Sequence, residues 1–101
     1  MQTTVEIVHF TLVSTANKDG FLAANHEIQS WVQQQGGFIS RQLCLSDEGK
    51  WSDIVVWESP QSAKQAADQF VKELGQSAFM RMIDFSSVQM SHQAVLAACQ
   101  R

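Results

Sequence analysis

Residues 51–60, WSDIVVWESP, have the pattern of a β-strand followed directly by the start signal of a helix. Successive side chains of a strand point to opposite faces of a sheet. One face of this strand carries Trp51, Asp53, Val55 and Trp57. Ser59 and Pro60 then predict the first turn of a helix, because serine caps helix N-termini and proline suits the first helical position. The stretch therefore predicts a strand-to-helix junction with an acid between two indoles.

The segments on both sides of this junction show strand and helix patterns in turn. Runs of β-branched and aromatic residues predict strands, and apolar residues at helical spacing predict helices. The predicted elements are a strand at 4–13, a helix at 19–35, strands at 38–45 and from residue 51, a helix from residue 60 closed by Gly75, a short helical turn at 77–84 and a strand at 85–92. This β-α-β-β-α-β order predicts an α+β, ferredoxin-like fold, with residues 1–101 as a single domain. Right-handed crossovers place the first strand between the third and fourth, with the second strand beyond the third and both helices on one face.

Two chain reversals carry specific predictions. Gly36 and Gly37 are expected to end the first helix, because glycine readily adopts the left-handed conformation of a helix C-cap. A hairpin folded about Glu48 sets the register of the second and third strands. Its predicted pairs are Leu45 with Trp51, Leu43 with Asp53, Arg41 with Val55 and Ile39 with Trp57.

The composition indicates a globular protein and argues against several classes of partner. The chain has 101 residues, of which 45% are hydrophobic and 17% charged, and its formal net charge is -3. Its seven lysines and arginines are scattered, which argues against a nucleic-acid partner. Residues 1–10 lack a signal-peptide pattern, and no apolar run approaches the ~18 residues of a membrane span. We expect a cytoplasmic protein with no membrane partner, in which Cys44 and Cys99 are free thiols.

Both faces of the predicted sheet carry apolar residues. On the first strand, Val5 and Ile7 alternate with Val8 and Phe10. Only one face can lie under the helices, so a monomer would expose a large apolar patch to water. The sequence therefore predicts a homodimer that forms through the sheet face opposite the helices.

The chain resembles the dimeric α+β barrel superfamily and, within it, proteins similar to antibiotic-biosynthesis monooxygenases. The resemblance covers roughly residues 5–92. It is carried by the order of the elements, the GGF turn at 36–38 and the VVWES motif at 55–59. It implies two subunits that join their sheets, each with a cleft between its own sheet and helices. The functions it implies are those of cofactor-free oxygenases, haem-degrading enzymes and small isomerases or decarboxylases.

The haem-degrading branch of this superfamily fits the chain poorly. That branch uses an asparagine on the first strand, a tryptophan at the end of the third strand and a histidine on the second helix. Trp57 matches the tryptophan, but Val8 falls near the asparagine position and the second helix contains no histidine. The three histidines of the chain lie on different elements, which argues against a metal site. We therefore expect no cofactor and no metal.

Strand parity gathers a carboxylate and an imidazole at one end of the implied cleft. If Trp57 faces the helices, Glu6 of the first strand and His92 of the fourth face them too, and an antiparallel sheet brings all three together. A carboxylate beside a histidine can orient it as a general base near neutral pH. We expect His92, assisted by Glu6, to deprotonate a phenolic or enolic substrate, whose carbanion then meets oxygen or another proton.

Other residues near the cleft are expected to bind the substrate. Indoles offer flat apolar walls for a planar ring, and an arginine can hold a phenolate, an enolate or a carboxylate. The expected substrate-binding residues are Arg41, Trp51, Asp53, Trp57 and Phe70. A purely structural role is open for each, since indoles are mostly buried as core and Arg41 can simply pair with Glu6.

Two functions fit these observations. The first is a cofactor-independent monooxygenase that acts on a small aromatic or polyketide-like compound. The second is a non-catalytic dimeric module that binds a small hydrophobic ligand or serves as a stress or regulatory partner. An enzyme should have a cleft with Glu6 or His92 within reach of a ligand, whereas a packing module should have Trp57 tightly covered and no cavity.

Overall fold

The chain alternates strands and helices in the predicted order, over the residues 2–101 that the computed structural model describes. The elements are β1 (Thr4–Leu12), α1 (Lys18–Val32), β2 (Phe38–Leu45), β3 (Trp51–Trp57), α2 (Pro60–Leu74), α3 (Ala78–Arg81) and β4 (Ile83–Ala94). The four strands form one antiparallel sheet in the order β2-β3-β1-β4. This arrangement confirms the predicted ferredoxin-like α+β fold and its strand order.

Both long helices begin at a capping side chain. At the junction after β3, Ser59 Oγ accepts a hydrogen bond from the backbone N–H of Ser62 at 3.1 Å, as the Ser-Pro pair predicts. At the start of α1, the Asn17 side chain accepts from the N–H of Gly20 at 2.8 Å. Each cap satisfies one of the N–H groups that a helix N-terminus leaves without an intrahelical partner.

The first helix ends earlier than predicted. α1 ends with Gln33 as its C-cap, so the prediction that Gly36 and Gly37 end it was wrong. Gly37 has a φ of 81°, a conformation that few residues other than glycine adopt. A Cβ at this position would also overlap the side chain of Ser62. The glycine is therefore required by the close approach of this turn to the start of α2, and not by the helix end.

β2 and β3 pair in the predicted register over most of their length. The observed pairs include Leu45 with Trp51, Leu43 with Asp53 and Arg41 with Val55. A register shift between Phe38 and Ser40 then places Phe38 opposite Trp57, so the predicted pairing of Ile39 with Trp57 was wrong. Ile39 is 49% exposed, whereas the Phe38 ring packs edge-to-face on Trp57 with 5.9 Å between centroids. The extra residue of this bulge lets an aromatic ring cover the indole.

β4 is longer than the predicted strand at 85–92. It starts two residues earlier, at Ile83, and continues to Ala94. Its pairing with β1 shifts register between His9 and Thr11. At the shift, the backbone N–H of Thr11 donates to Ser87 Oγ at 2.9 Å, so a side chain replaces a bond of the strand ladder.

The side chains between the sheet and the helices form two clusters of buried residues, each with one tryptophan of β3. The Trp51 cluster comprises Phe10, Phe21, Ile28, Trp51, Leu74, Phe79 and Ile83. The Trp57 cluster comprises Val32, Val55, Trp57, Ala63 and Ala66. Both indoles therefore face the helical layer, as strand parity predicts.

The opposite face of the sheet is also largely apolar. Alternation along β1 and β3 places Val5, Ile7, Ile54 and Val56 on it, and each is partly exposed. A polar pair interrupts this surface, with His9 Nδ1 and Ser52 Oγ 2.8 Å apart. Separately, none of the helices within residues 2–101 is both long and apolar enough to cross a bilayer.

Candidate active site

A cavity of about 280 Å³ lies between the sheet and the helices. Its lining side chains come from β1, β2, β3 and β4 and from all three helices. All of them are apolar or aromatic except Glu6, Arg41 and Asp53. The cavity can therefore accept an apolar ring while presenting a small number of polar groups, as most small-molecule sites do.

Small residues on α2 leave the space that the cavity occupies. Ala66 and Ala67 line the cavity from this helix, and Ala63 and Ala66 pack in the Trp57 cluster. A few exposed apolar residues also line the cavity, with Phe85 62% exposed and Val71 72% exposed. These exposed side chains mark an apolar opening between α2 and β4.

Glu6 and His92 form a hydrogen-bonded pair at one end of the sheet. The two residues lie directly opposite each other on β1 and β4, and His92 Nε2 is 2.9 Å from Glu6 Oε2. Their side chains are 14% and 44% exposed, respectively. Glu6 lines the cavity, whereas His92 is not among the lining residues and lies beside Glu6 toward solvent. The carboxylate is therefore the member of the pair that a ligand would contact.

Arg41 and Asp53 form a second, more deeply buried pair. Two parallel hydrogen bonds join them, Nε to Oδ1 and Nη2 to Oδ2, both 2.9 Å long. The Arg41 side chain is 2% exposed and that of Asp53 16%. Nη1 of Arg41 also donates to the side-chain oxygens of Asn25 and Gln29 on α1, at 2.7 and 2.8 Å. Arg41 thus ties the sheet to α1, and it pairs with Asp53 and not with Glu6.

This pairing limits what Arg41 can offer a ligand. A guanidinium has five N–H donors, and four are engaged in the bonds to Asp53, Asn25 and Gln29. The guanidinium carbon also lies 5.8 Å from the centre of the Phe79 ring, a cation–π contact that holds it against the helical layer. Only one N–H of Arg41 is therefore available to bind a substrate oxyanion.

Two tryptophans line the cavity, and the indole N–H of each is buried without a partner. Trp31 on α1 and Trp57 on β3 both line it, and Nε1 of each is buried with no hydrogen-bond partner within residues 2–101. Phe70 of α2 lines the cavity as well and packs edge-to-face on Trp31, with ring centroids 5.5 Å apart. Trp57, Phe70 and Trp31 thus supply aromatic walls to the cavity.

The predicted site residues divide between the cavity, its rim and the packed core. Those that line the cavity are Glu6, Arg41, Asp53, Trp57 and Phe70. Trp51 does not line it, because its ring lies parallel to Phe10 at 6.5 Å and edge-on to Phe21 at 4.8 Å. The expectation that Trp51 binds substrate therefore gives way to a packing role.

Three residues of α1 were missed as members of the site. These are Trp31, which lines the cavity, and Asn25 and Gln29, which bind Arg41. The spacing of Asn25 and Gln29 by four residues places them on one side of a helix, which is the signal that could have found them. Within residues 2–101, no three His, Cys, Asp or Glu side chains cluster closely enough to hold a metal ion.

Neither a family model nor a curated protein sequence matches this chain. Solved structures match it over nearly its whole length. SnoaB, a cofactor-independent oxygenase from Streptomyces nogalater, is 16% identical with a TM-score of 0.70, and the match covers 99% of this chain and 97% of that one. A candidate antibiotic-biosynthesis monooxygenase from Bordetella bronchiseptica is 19% identical, with a TM-score of 0.69 and coverage of 96% and 100%.

A third match is a dimeric ferredoxin-like protein from an uncultured marine organism. It is 14% identical with a TM-score of 0.76, and the match covers 100% of this chain and 94% of that one. The chain therefore has the fold of these proteins, which is the fold that the resemblance to antibiotic-biosynthesis-monooxygenase-like proteins implies.

Proposed function

We propose that the protein is a cofactor-independent monooxygenase that acts on a small aromatic or polyketide-like compound. The observation that supports this best is the Glu6–His92 pair, which places one carboxylate in the wall of an otherwise apolar cavity. The similarity in fold to a cofactor-independent oxygenase agrees with this proposal. Such a site needs only an acidic C–H or O–H on the substrate, a base beside it, and dioxygen.

The reaction balances without any added reductant. Glu6, held by His92, takes a proton from a CH₂ group next to an aromatic ketone, which leaves a carbanion delocalised over the rings. The carbanion forms a C–O bond with dioxygen and takes back the first proton, which gives a hydroperoxide. The second C–H proton then leaves as the C=O bond forms, the O–O bond breaks and hydroxide departs, and this proton and the hydroxide make water. The overall change is R₂CH₂ + O₂ → R₂CO + H₂O. The two electrons that the O–O bond takes up as it breaks come from the second C–H bond of the substrate.

The other residues of the cavity hold the substrate in this scheme. Trp57 and Phe70 provide the flat walls between which a ring system lies. Asp53 holds Arg41, and Arg41 holds α1 against the sheet, so this buried pair shapes the cavity near the Trp51 cluster. The scheme gives Arg41 and Asp53 a positioning role, with one N–H of Arg41 left to face a ligand.

The test is oxygen uptake with anthrone, whose ring system carries a CH₂ group and a ketone. The wild-type protein should consume oxygen and form anthraquinone. Glu6→Gln keeps the size of the side chain and removes its basicity, so it should lower kcat by about 100-fold or more. His92→Ala should lower kcat as well. His26→Ala changes an exposed histidine on α1 and serves as the matched control, with no effect expected. Unchanged turnover by Glu6→Gln would end the assignment of Glu6 as base.

A second candidate function is a non-catalytic module that binds a small hydrophobic ligand. Two observations favour it: Arg41 has most of its donors engaged within the protein, and Trp57 is 2% exposed. The same assay separates the two functions. A module of this kind would bind aromatic compounds in the cavity and leave oxygen uptake at the uncatalysed rate for every substrate tried.

We further propose that the protein is a homodimer joined through the sheet face opposite the helices. The partly exposed Val5, Ile7, Ile54 and Val56 support this, because a monomer would leave them in water. A protein of similar fold is described as dimeric.

Sedimentation at micromolar concentration measures the predicted dimer directly. The wild type should sediment as a dimer and Ile54→Lys as a monomer. Leu22→Lys, which places the same charge at a 42% exposed residue of α1, should remain dimeric. A monomeric wild type, or a dimer broken equally by Leu22→Lys, would contradict the proposed interface.

A further inference from the structure

Two successive turns of α2 line the cavity with side chains of different size. Ala66 and Ala67 line it, and so do Phe70 and Val71, which follow them by four residues. Residues four apart lie on the same side of a helix. One turn of α2 therefore places a ring and a branched side chain at the cavity, and the turn before it places only two methyl groups there.

The volume of the cavity suits a ligand with more than one ring. An apolar cavity of about 150 Å³ binds benzene, and the cavity here has a volume of about 280 Å³. Its lining along β1 runs from Glu6 through Val8 to Phe10, a distance of about 13 Å at the rise of a strand. A single ring would leave much of this space unfilled, whereas two or three fused rings would occupy it.

The two alanines lie at different depths. Ala66 is 5% exposed and packs in the Trp57 cluster. Ala67 lines the cavity but is exposed, and it precedes by one turn Val71, an exposed residue of the apolar opening. A larger side chain at Ala66 would take up space inside the cavity, and a larger one at Ala67 would narrow its opening.

We infer that Ala66 and Ala67 set the size of the ligand that the cavity accepts, and that this ligand is a fused aromatic system of two or three rings. The inference rests on the proposed function only in that it concerns the same cavity, and it requires no turnover. The apolar lining suits a ring system with few polar groups. The bond to His92 uses Oε2 of Glu6, so Oε1 can accept a hydrogen bond from a ligand hydroxyl.

The test compares three probes that carry one hydroxyl each and differ in their number of rings: phenol, 2-naphthol and 2-hydroxyfluorene. Titrations followed by ¹⁵N–¹H spectra of the protein measure weak and tight binding alike. The wild type should bind 2-hydroxyfluorene at least about 10-fold more tightly than phenol, because the larger probe buries more apolar surface in the cavity.

Variants at the two alanines should remove this preference. Ala66→Leu should weaken 2-hydroxyfluorene binding by about 10-fold or more, and phenol binding by less than about 2-fold, because one ring still fits in the remaining space. Ala67→Leu should weaken 2-hydroxyfluorene binding by about 3-fold, since it acts at the opening. Ala66→Val adds a smaller side chain and should give an intermediate loss, which keeps the test usable if leucine prevents folding. Ala23→Leu adds the same side chain at an exposed position of α1 and should preserve the ratio of the two affinities.

Thermal unfolding separates a filled cavity from a damaged core. A leucine that enters the cavity gains apolar contacts and displaces no neighbour, so the Tm of Ala66→Leu should equal or exceed that of the wild type. Ala63→Leu provides the contrast, because Ala63 is buried in the Trp57 cluster and does not line the cavity. Its Tm should fall, as expected when a packed core is overfilled.

Three results would overturn this inference. The first is a wild-type protein that binds 2-hydroxyfluorene no more tightly than phenol. The second is a ratio of these two affinities that stays at the wild-type value in Ala66→Leu and Ala66→Val, or in Ala67→Leu. The third is a lowered Tm with an equal loss of both probes in Ala66→Leu, since that would reflect a disturbed core. Oxygen uptake enters none of these measurements, so the size limit and the proposed monooxygenase activity can each fail without the other.

Discussion

Trp51 and Trp57 lie on the same face of the same strand, six residues apart, yet their surroundings differ. The Trp51 cluster is filled with aromatic rings, and Phe21 at its centre has no exposed surface. The Trp57 cluster contains alanines at two of its positions on α2, and Trp57 itself lines the cavity, whereas Trp51 does not. Alternation along the strand points both indoles toward the helices, so the difference in packing around them comes from the helical side chains above them. Large side chains on a helix build a core there, and small ones leave a binding space.

The largest expected effect concerns the packed side of this comparison. Phe21→Ala should lower the free energy of unfolding by about 4 kcal/mol, because it removes a fully buried ring and leaves a void among rigid neighbours. Phe70→Ala is the matched change at the cavity, where the side chain is only partly buried. It should cost less than half as much, since the space it leaves joins one that already exists.

Urea denaturation of the wild type and both variants measures this difference, with the transition slope compared to confirm that each unfolds in the same way. Ligand binding should respond in the reverse order, with the affinity of the cavity for an aromatic ligand lowered more by Phe70→Ala than by Phe21→Ala. Equal losses of stability in the two variants would show that the surroundings of Phe70 at the cavity are as well packed as those of Phe21.

A smaller effect is expected at the buried ion pair between the two tryptophans. Asp53→Ala should destabilise the protein by about 3 kcal/mol, because it leaves the buried guanidinium of Arg41 without its counter-charge. The double variant Arg41→Met, Asp53→Leu replaces the pair with apolar side chains and should recover most of this loss. Thermal or urea unfolding of the single and double variants checks both statements.

The double variant Arg41→Met, Asp53→Leu also tests whether the buried pair matters for ligand binding. If Arg41 and Asp53 position α1 over the sheet, the stable double variant should still bind aromatic probes more weakly, since the bonds to Asn25 and Gln29 are lost. A double variant as unstable as Asp53→Ala would contradict the account of Asp53 as a partner for a buried charge.

Much of the fold, and part of the candidate site, followed from short-range rules. Alternation along a strand depends only on the backbone, so it correctly placed both indoles toward the helices and predicted that Glu6 and His92 share a face. The Ser59 cap and the hairpin register near Glu48 are likewise set within a few residues. The register failed at Ile39, where packing of Phe38 on a distant tryptophan favours a bulge that no local pattern signals.

The contents of the cavity depended on how the helices sit over the sheet, which periodicity does not specify. A helical stripe identifies which side of α1 is apolar, but it does not say that Trp31 will border a cavity while Phe21 fills a core. The partners of Arg41 illustrate the same limit, since Asn25 and Gln29 are polar residues of a helix whose rotation brings them against β2. Sequence patterns therefore predicted the sheet's contribution to the site better than the helices' contribution.

The unequal exposure of Glu6 and His92 has a consequence for how the interior communicates with the surroundings. The carboxylate borders the cavity, and the imidazole, one hydrogen bond away, reaches bulk water. A proton that Glu6 takes from a bound ligand would need a single transfer, from Glu6 to His92, to reach water. This route is separate from the apolar opening between α2 and β4, so a ligand that fills the opening would not block the exchange of protons with water.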